Sequence, residues 1–579
     1  MTAHLANRGT NPAVRLCGEL PPHLASLAAT DAKYARGEWA AALDDYLRLQ
    51  ASLVGDEAAV SAAPVECRIA WCHYYLGQFD AAVSVVRRAT GHSPGDWHLS
   101  YLIARLARAH RKPDLALALL ARLVQHYPNE ALIRRDLAYA VYTGFSDIPG
   151  GRALWRPLLE RPEYAASVGR YQLYSNFYQP DPADSDNRQN IRDYVARFIQ
   201  PASRIATPAP PAARKKSSRR PRIGLISVFF HRSPVYALTI GALRAWCAGV
   251  DLVFIDRGKL SEDTATHDYR AIAAEWHPLR GLSAEVLEKR LRALKLDALI
   301  DMSGWSDTIG LRALVHKPAP RLFKWVGGQA ASTGLAAFDG FIGDQFQSPH
   351  HLQSLYAEPL INLPGGYATY SAPAYLPAAQ ATARTARNGS PVVGVISNPI
   401  KLSTGFLAQL QAAASALDAG APPVELRFIG NRYRHRIVQE RIRAQLQPGA
   451  DGPLHIEFLS PPGHENYLRA VAELDWVVDT WPYTGGLTIL EALAIGVPCR
   501  TRAGRLFCQR HGYSHARYAG LTDAEIDLDR LGPFGRATSA IRAARQSAGT
   551  SLLPADSPRR DHARLARALD ALVAGHIPS

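Results

Sequence analysis

Residues 474–493 read LDWVVDTWPYTGGLTILEAL. An apolar run ends in Asp479 and Thr480, a glycine turn follows at Gly485 and Gly486, and Thr488 then opens an apolar helix. A strand feeding a helix through a glycine turn is the repeating step of a parallel α/β sheet. Backbone N–H groups and the positive end of the helix dipole converge at such a turn, which suits an anion such as a diphosphate. Glu491, one turn into the helix, is placed to accept hydrogen bonds from a ribose hydroxyl pair. The same letters would also make a plain strand-to-helix turn with a capping residue.

Working outward, the same alternation recurs on both sides. RIGLISVFF (222–230), DLVFID (251–256) and LDALIDM (296–302) are apolar runs separated by polar turns and helical intervals. After a Pro/Ala/Arg-rich connector (375–390), a second series follows: PVVGVISN, VELRFIG, LHIEFLS, LDWVVDT and VPCRTR. Two doubly wound domains in tandem, 222–375 and 390–579, are the simplest account. Ligands of open parallel sheets bind beyond the carboxyl ends of the strands, so the segments after the runs carry the interest. They are FFHRSP (229–234), IDMSGW (300–305), ISNPIKLS (396–403) and the turn already quoted. Lys401 offers an ammonium group that can neutralise developing phosphate charge. His231 offers an acid, a base or a hydrogen bond. Taken singly, a lysine is usually solvated and a histidine usually structural.

Residues 1–200 read as an all-helical domain. Gly77, Phe79, Ala82, Val86, Ala89 and Pro94 recur 34 residues later as Arg111, Pro113, Ala116, Leu120, Leu123 and Pro128. That is the tetratricopeptide period. An upstream copy, Gly37, Trp39, Ala42, Tyr46 and Leu49, is offset by 40, so an insertion of about six residues separates the first two copies. The small residue at 42, 82 and 116 lets paired helices approach, and proline closes the second helix. From about 130 to 200 helical patterns such as RDLAYAVYTGF and IRDYVARFIQ continue without the consensus, as a cap would. The repeats serve either as a brace for the following domains, with or without a partial groove, or as a peptide-binding groove.

The chain has 579 residues and carries 66 basic against 51 acidic side chains, a net charge of +15. That surplus invites a nucleic-acid reading. Seven of the charges sit in 201–222, PASRIATPAPPAARKKSSRRPR, leaving +2 for 1–200 and +6 for 223–579. The segment 201–221 reads as a basic Pro/Ala-rich interdomain linker, and a nucleic-acid surface is not needed to explain the charge. Composition is 47% hydrophobic and 20% charged, which excludes disorder across the whole chain. Six scattered cysteines show neither zinc nor disulfide-framework spacing. The first residues lack the pattern of a signal peptide and no window reaches the apolar length of a membrane span, so a cytoplasmic protein is expected.

Together these blocks resemble the O-linked N-acetylglucosaminyltransferase family, glycosyltransferase family 41, which joins tetratricopeptide repeats to a GT-B catalytic region. The resemblance is clear from about 222 to 521. It rests on LDALIDMSGW, KPAPRLFKWVGGQAASTGLAAFDGFIGDQFQSP, YAEPLINLP, ISNPIKLS, ENYLRAVAELDWVVDTWPYTGGLTILEALAIGVP and GRLFCQRHGYSHARYAGL. It implies a tetratricopeptide-like solenoid followed by two Rossmann-like domains, the first on the acceptor side and the second on the nucleotide-sugar side. It further implies that Lys401 contacts the diphosphate with Asn398 beside it, that Thr488 starts the pyrophosphate-binding helix, and that Glu491 stands for the ribose-binding acid. His231 sits near the family's active-site histidine, and Asp297 matches an aspartate considered for a catalytic role. Tyr467, Gly485, Gly486, Leu487 and Arg510 complete the expected nucleotide-sugar site.

Two departures stand out. Gly486, Leu487 and Thr488 replace a histidine and two threonines, with Glu491 in place of aspartate, and the turn GGQAASTGL is one residue longer. Both fall where donor and acceptor should meet, which leaves the donor sugar open. The resulting expectation is an inverting, metal-independent and cofactor-free transfer of GlcNAc or a hexose from a UDP-sugar to a protein side chain, Ser or Thr. The protein acceptor would dock on the repeats, with no nucleic acid and no membrane span involved. Alternatives are an adhesin-type N-glucosyltransferase acting on Asn, a flagellin- or glycan-modifying transferase, and a non-catalytic repeat scaffold with a degenerate transferase domain.

Overall fold

Gly37 and Gly77, which the repeat pattern places at helix junctions, take φ of 83° and 77°, the left-handed region that glycine enters without steric cost. Each turns the chain between two helices of a hairpin. The computed structural model describes residues 16–17, 27–52, 56–93, 95–110, 112–179, 184–200, 219–258, 262–377, 390–417, 423–446, 453–535, 551–553 and 556–576. The hairpins are α1 (Ala28–Ala35) with α2 (Trp39–Ser52), α3 (Asp56–Tyr75) with α4 (Phe79–His92), and α5 (Trp97–Ala109) with α6 (Pro113–His126). They continue into α7 (Ala131–Tyr139), α8 (Ile148–Trp155) and α9 (Pro162–Asn176). Ala42, Ala82 and Ala116 are all fully buried, as close helix approach requires. The extra residues between the first two repeats are taken up by α3, which runs 20 residues against 13 in α5. Pro113 opens α6 at a position where its missing N–H costs nothing. Pro94, Arg111 and most of the linker (201–218) lie outside the described residues.

The chain forms two units, Met1–Tyr171 and Gln172–Ser579. Helices continue to Ile199, and those after Tyr171 belong to the second unit. Helix α10 (Asp184–Tyr194) sends Ile191 and Tyr194 into the core of the second unit, where Tyr194 meets Trp305 edge-on at 5.6 Å. A side chain at Gly334 would lie 2.7 Å from Ile191, so this helix and that turn need backbone-close packing. The repeat consensus fades here because these apolar side chains pack on a different core.

The second unit holds two parallel sheets. The first runs β3-β2-β1-β4-β5-β6-β7 and the second β10-β9-β8-β11-β12. The first sheet comprises β1 (Arg222–Ser227), β2 (Asp251–Asp256), β3 (Glu275–Pro278), β4 (Ala298–Asp301), β5 (Leu322–Lys324), β6 (Gly340–Gly343) and β7 (Leu360–Asn362). The second comprises β8 (Val392–Val395), β9 (Val424–Ile429), β10 (Leu454–Leu459), β11 (Trp476–Val478) and β12 (Cys499–Arg500). Every run read from the sequence as a strand is one, while the short β3, β5, β6 and β7 escaped notice. In both sheets the strand order reverses, between β1 and β4 and between β8 and β11. Those are the topological switch points where such sheets bind ligands.

Intervening helices pack on the faces: α11 (Pro234–Trp246), α12 (Thr264–Ala271), α13 (Ala284–Ala293) and α14 (Thr308–Leu314) on the first, α15 (Thr404–Ser415), α16 (Arg436–Leu446), α17 (Gly463–Ala472), α18 (Leu487–Ile495) and α19 (His511–Tyr518) on the second. The last helix, α20 (His562–Ala574), does not stay with the second sheet as the boundary 390–579 implied. It returns to the first: Arg321 Nη1 donates to Leu572 O at 2.9 Å, and Trp246 Nε1 to Asp570 Oδ1 at 3.5 Å. The halves are also joined by a buried triad. Ser514 Oγ donates to Asp344 Oδ2 at 3.0 Å, and Arg559 Nη2 donates to Asp344 Oδ2 at 3.2 Å and to Ser514 Oγ at 2.7 Å. Among the described residues no helix is long and apolar enough to cross a membrane.

Candidate active site

The carboxyl ends of β8 and β11 bring two distant motifs together. Asn398 caps a short turn, its Oδ1 accepting from Ile400 N at 3.2 Å, and that turn presents Lys401. Lys401 Nζ donates to Thr484 O at 2.7 Å and stands 4.5 Å from the centroid of the Tyr483 ring. Below it, Asp479 is fully buried and accepts from Gly485 N at 2.6 Å and from Thr501 Oγ1 at 2.9 Å. Burial lifts the Asp479 carboxyl to about 7, against the pull of the Gly485 N–H and Lys401. Burial likewise draws the Lys401 ammonium down to about 8, with Asp479 opposing. The ammonium group is thus still charged at neutral pH but poorly compensated, which favours a second anion.

Gly485 is a packing requirement, because a Cβ there would lie 2.6 Å from Ile489 Cγ1 and 3.0 Å from Asp479 Oδ1. Gly486 is the N-cap of α18, and no side chain caps the helix. The helix begins at Leu487, one residue before the expected Thr488, and its first turn offers backbone donors beside Lys401.

Glu491 is buried, and in this structure it is engaged by a protein group. His464 Nε2 lies 2.9 Å from Glu491 Oε1, and His464 Nδ1 lies 3.0 Å from Tyr375 Oη, which also accepts from Arg232 Nη2 at 2.6 Å. One proton arrangement satisfies the whole chain: Arg232 donates to Tyr375, Tyr375 to Nδ1, and Nε2–H to the carboxylate. The chain runs from the loop after β1 to α18, spanning both sheets. Tyr467 lies alongside, its ring nearly parallel to His464 at 5.9 Å, and its buried hydroxyl has no hydrogen-bond partner among the described residues.

On the first sheet, His231 stands on the loop after β1, half-buried and near the Phe229 ring, and the neighbouring Arg232 N–H and Thr266 N–H, with His231 the smallest contributor, hold down the Asp263 carboxyl against burial. The glycine turn after β5 is pinned by Lys324, whose Nζ donates to Gly327 O at 2.6 Å and Asp301 O at 3.2 Å. Gly327 and Gly328 admit no side chain, since a Cβ would lie 2.2 Å from Met302 O and 1.9 Å from Ser303 O respectively.

One expected site residue, Asp297, is placed elsewhere, and another, Arg510, is engaged by backbone carbonyls. Asp297 precedes β4, at the amino end of the sheet, where its carboxylate accepts from Arg222 N at 2.8 Å and from Arg219 Nη2 at 2.9 Å. The aspartate at the carboxyl end of that strand is Asp301. Arg510 spends Nε on Phe346 O at 2.8 Å and Nη1 on Gly504 O at 2.6 Å, fastening loops of the two halves together. His464 and Tyr375 were not singled out from the sequence, and Asp479 was named only as the end of a strand. Asp479 was readable as the polar end of an apolar run; the other two carry no local signal. His511, which burial drives down to about 3, lies 3.2 Å from Tyr367 Oη and is neutral. Among the described residues no group of three or more His, Cys, Asp or Glu is arranged to hold a metal ion.

No protein-family model matches the chain. It is 26% identical over 248 residues to a tomato (Solanum lycopersicum) protein described as a probable UDP-N-acetylglucosamine–peptide N-acetylglucosaminyltransferase SPINDLY, covering 42% of this chain and 26% of that protein. The rice (Oryza sativa subsp. japonica) counterpart is 27% identical over 250 residues, with the same coverage. The matched region thus spans about a quarter of the length of these curated relatives. A mutant O-GlcNAc transferase of Thermobaculum terrenum superposes with a TM-score of 0.76 at 24% identity, covering 90% of this chain and 98% of that one. In its sequence blocks the chain is similar to the SPINDLY relatives, and its architecture of helical repeats followed by two Rossmann-like domains is the fold of the O-GlcNAc transferase structure.

Proposed function

We propose that this protein is a UDP-sugar-dependent protein glycosyltransferase. The observation that carries the reading is the convergence of Lys401, the Asp479-braced turn at Gly485 and the open start of α18 at one switch point. Those groups suit a nucleoside diphosphate that leaves with negative charge: Lys401 and the helix dipole meet that charge directly, so the transfer needs no bridging cation. The tomato and rice relatives, described as probable UDP-N-acetylglucosamine–peptide N-acetylglucosaminyltransferases, favour UDP-N-acetylglucosamine as donor and a peptide as acceptor. The acceptor hydroxyl of Ser or Thr attacks the anomeric carbon from the face opposite the diphosphate, with inversion, as the bond from that carbon to the diphosphate oxygen breaks and the hydroxyl proton is released to solvent. His231, on the first sheet, is the group assigned to the acceptor side. The protein acceptor is assigned in part to the helical repeats, and the cytoplasm is the assigned compartment.

Calorimetry with UDP, followed by intact mass spectrometry of acceptor proteins co-expressed with the enzyme, tests this. UDP binding with a gain of one N-acetylhexosamine on Ser or Thr is expected. A gain of one hexose on Asn would replace the reading by N-glucosylation, and absence of UDP binding would reject a transferase.

A further inference from the structure

Within the helical unit, three arginines surround one carboxylate. Arg105 Nη1 donates to Asp136 Oδ2 at 2.8 Å, Arg135 Nη2 to Oδ1 at 2.7 Å, and Arg108 Nη1 stands 3.8 Å from Oδ2. Tyr101 Oη also donates to Oδ2, at 2.8 Å. Among the described residues, every ion pair of these arginines goes to Asp136, so two guanidinium charges have no carboxylate of their own. Partly buried charge without a counter-ion is costly, and here the deficit also shows as unmade hydrogen bonds. Arg105, only 6% exposed, keeps a buried Nε with no partner among the described residues, and Arg108 keeps a buried Nη1 likewise.

The cluster sits on α5 and α7, the first helices of successive hairpins. Tyrosines frame it: the Arg108 guanidinium lies over the Tyr139 ring at 4.6 Å, and Arg105 Nη2 reaches Tyr74 Oη at 3.4 Å.

We infer that this arginine cluster is an anion subsite for a peptide, taking one carboxylate of an acidic segment between Arg108 and Arg135. Side-chain exposures of 7, 21 and 15% for Arg105, Arg108 and Arg135 describe a recessed point reached past Arg108. A recess of that kind admits a protruding side chain or a chain end. Nucleic acid needs an exposed basic stripe that tracks many phosphates. Guanidinium forks and tyrosine faces match a planar carboxylate. None of the nucleotide groups belongs to the subsite, which stands or falls independently of them.

The test uses the full chain and fluorescein-labelled peptides in an anisotropy titration: a capped Glu/Gly peptide, the capped Gln/Gly equivalent, and a Gln/Gly peptide with a free C-terminal carboxylate. The capped Glu peptide, or the free-terminus peptide if a chain end is the source, binds at low salt, and the capped Gln peptide does not. Arg108→Gln weakens that binding by about tenfold or more, while Arg108→Lys retains part of it and UDP binding is unchanged in both. Equal binding of the Glu and Gln peptides to the unmodified chain overturns the inference without recourse to any variant. So does indifference of a folded Arg108→Gln protein, or tighter binding of a single-stranded oligonucleotide than of either carboxylate peptide.

Discussion

Lys401 Nζ and the carbonyl oxygen of Thr484 are 2.7 Å apart although 83 residues separate them in the chain. The bond aims an ammonium group across the switch point at the start of α18, where it shares one anion with backbone donors. Removing the ammonium takes charge stabilisation from the departing diphosphate. Lys401→Ala should lower kcat by about 100- to 1,000-fold, with circular dichroism and melting temperature unchanged. A variant that turns over at the normal rate would falsify the role.

Burial holds the Lys401 pKa at about 8, below its usual value, so the free enzyme loses this charge as pH rises through that range. The profile of kcat/KM, which reports the free enzyme, should fall above about pH 8, with a later fall in kcat because bound diphosphate stabilises the ammonium. Lys401→Arg removes the titration, and the limb near pH 8 should vanish from its residual activity. Persistence of that limb in the arginine variant would assign it to another group.

Gly485 has 2.6 Å between an added Cβ and Ile489, a contact that forces the turn or the helix to shift. Gly485→Ala should cost about 1–3 kcal/mol by overpacking and weaken UDP binding more than it weakens folding. Urea denaturation beside calorimetry measures the two.

The carboxylate of Asp297 serves the amino end of β4, far along the strand from the switch point. Asp297→Asn should leave kcat/KM within about twofold, since ligands of such sheets lie at the opposite end. The stability loss stays below about 1 kcal/mol because solvent screens the half-exposed Arg219. A hundredfold fall in turnover would return Asp297 to the active site.

His464 and Glu491 form one unit. His464→Ala leaves a buried carboxyl without its partner and should cost about 1–3 kcal/mol. Combining it with Glu491→Gln should cost less than the two separate losses added together. Chemical denaturation of the four proteins closes the cycle, and strict additivity would show the pair to be independent.

Periodicity made the architecture legible. Short apolar runs between glycine and helical stretches announced β1, β2, β4 and all of the second sheet, and a 34-residue recurrence announced the hairpins. The strands β3, β5, β6 and β7 were hidden, since EWHP, LFK, GFIG and LIN each hold at most two consecutive apolar residues, too few to separate from a loop.

What the amino-acid sequence by itself determined is local: which segments are strands or helices, where glycine must turn, and that Lys401 and the turn at 485–486 follow strands. Each depends on neighbours within a few residues, where backbone sterics and hydrophobic period act directly. What only the tertiary structure decided is which side chains meet. It drew Lys401 to Thr484, gave Glu491 to His464 and Arg510 to backbone carbonyls, set Asp297 at the amino end of its strand, and carried α10 and α20 into the core beside the first sheet. Those pairings join residues scores of positions apart. They follow from strand order and from burying apolar faces, which no window of sequence contains.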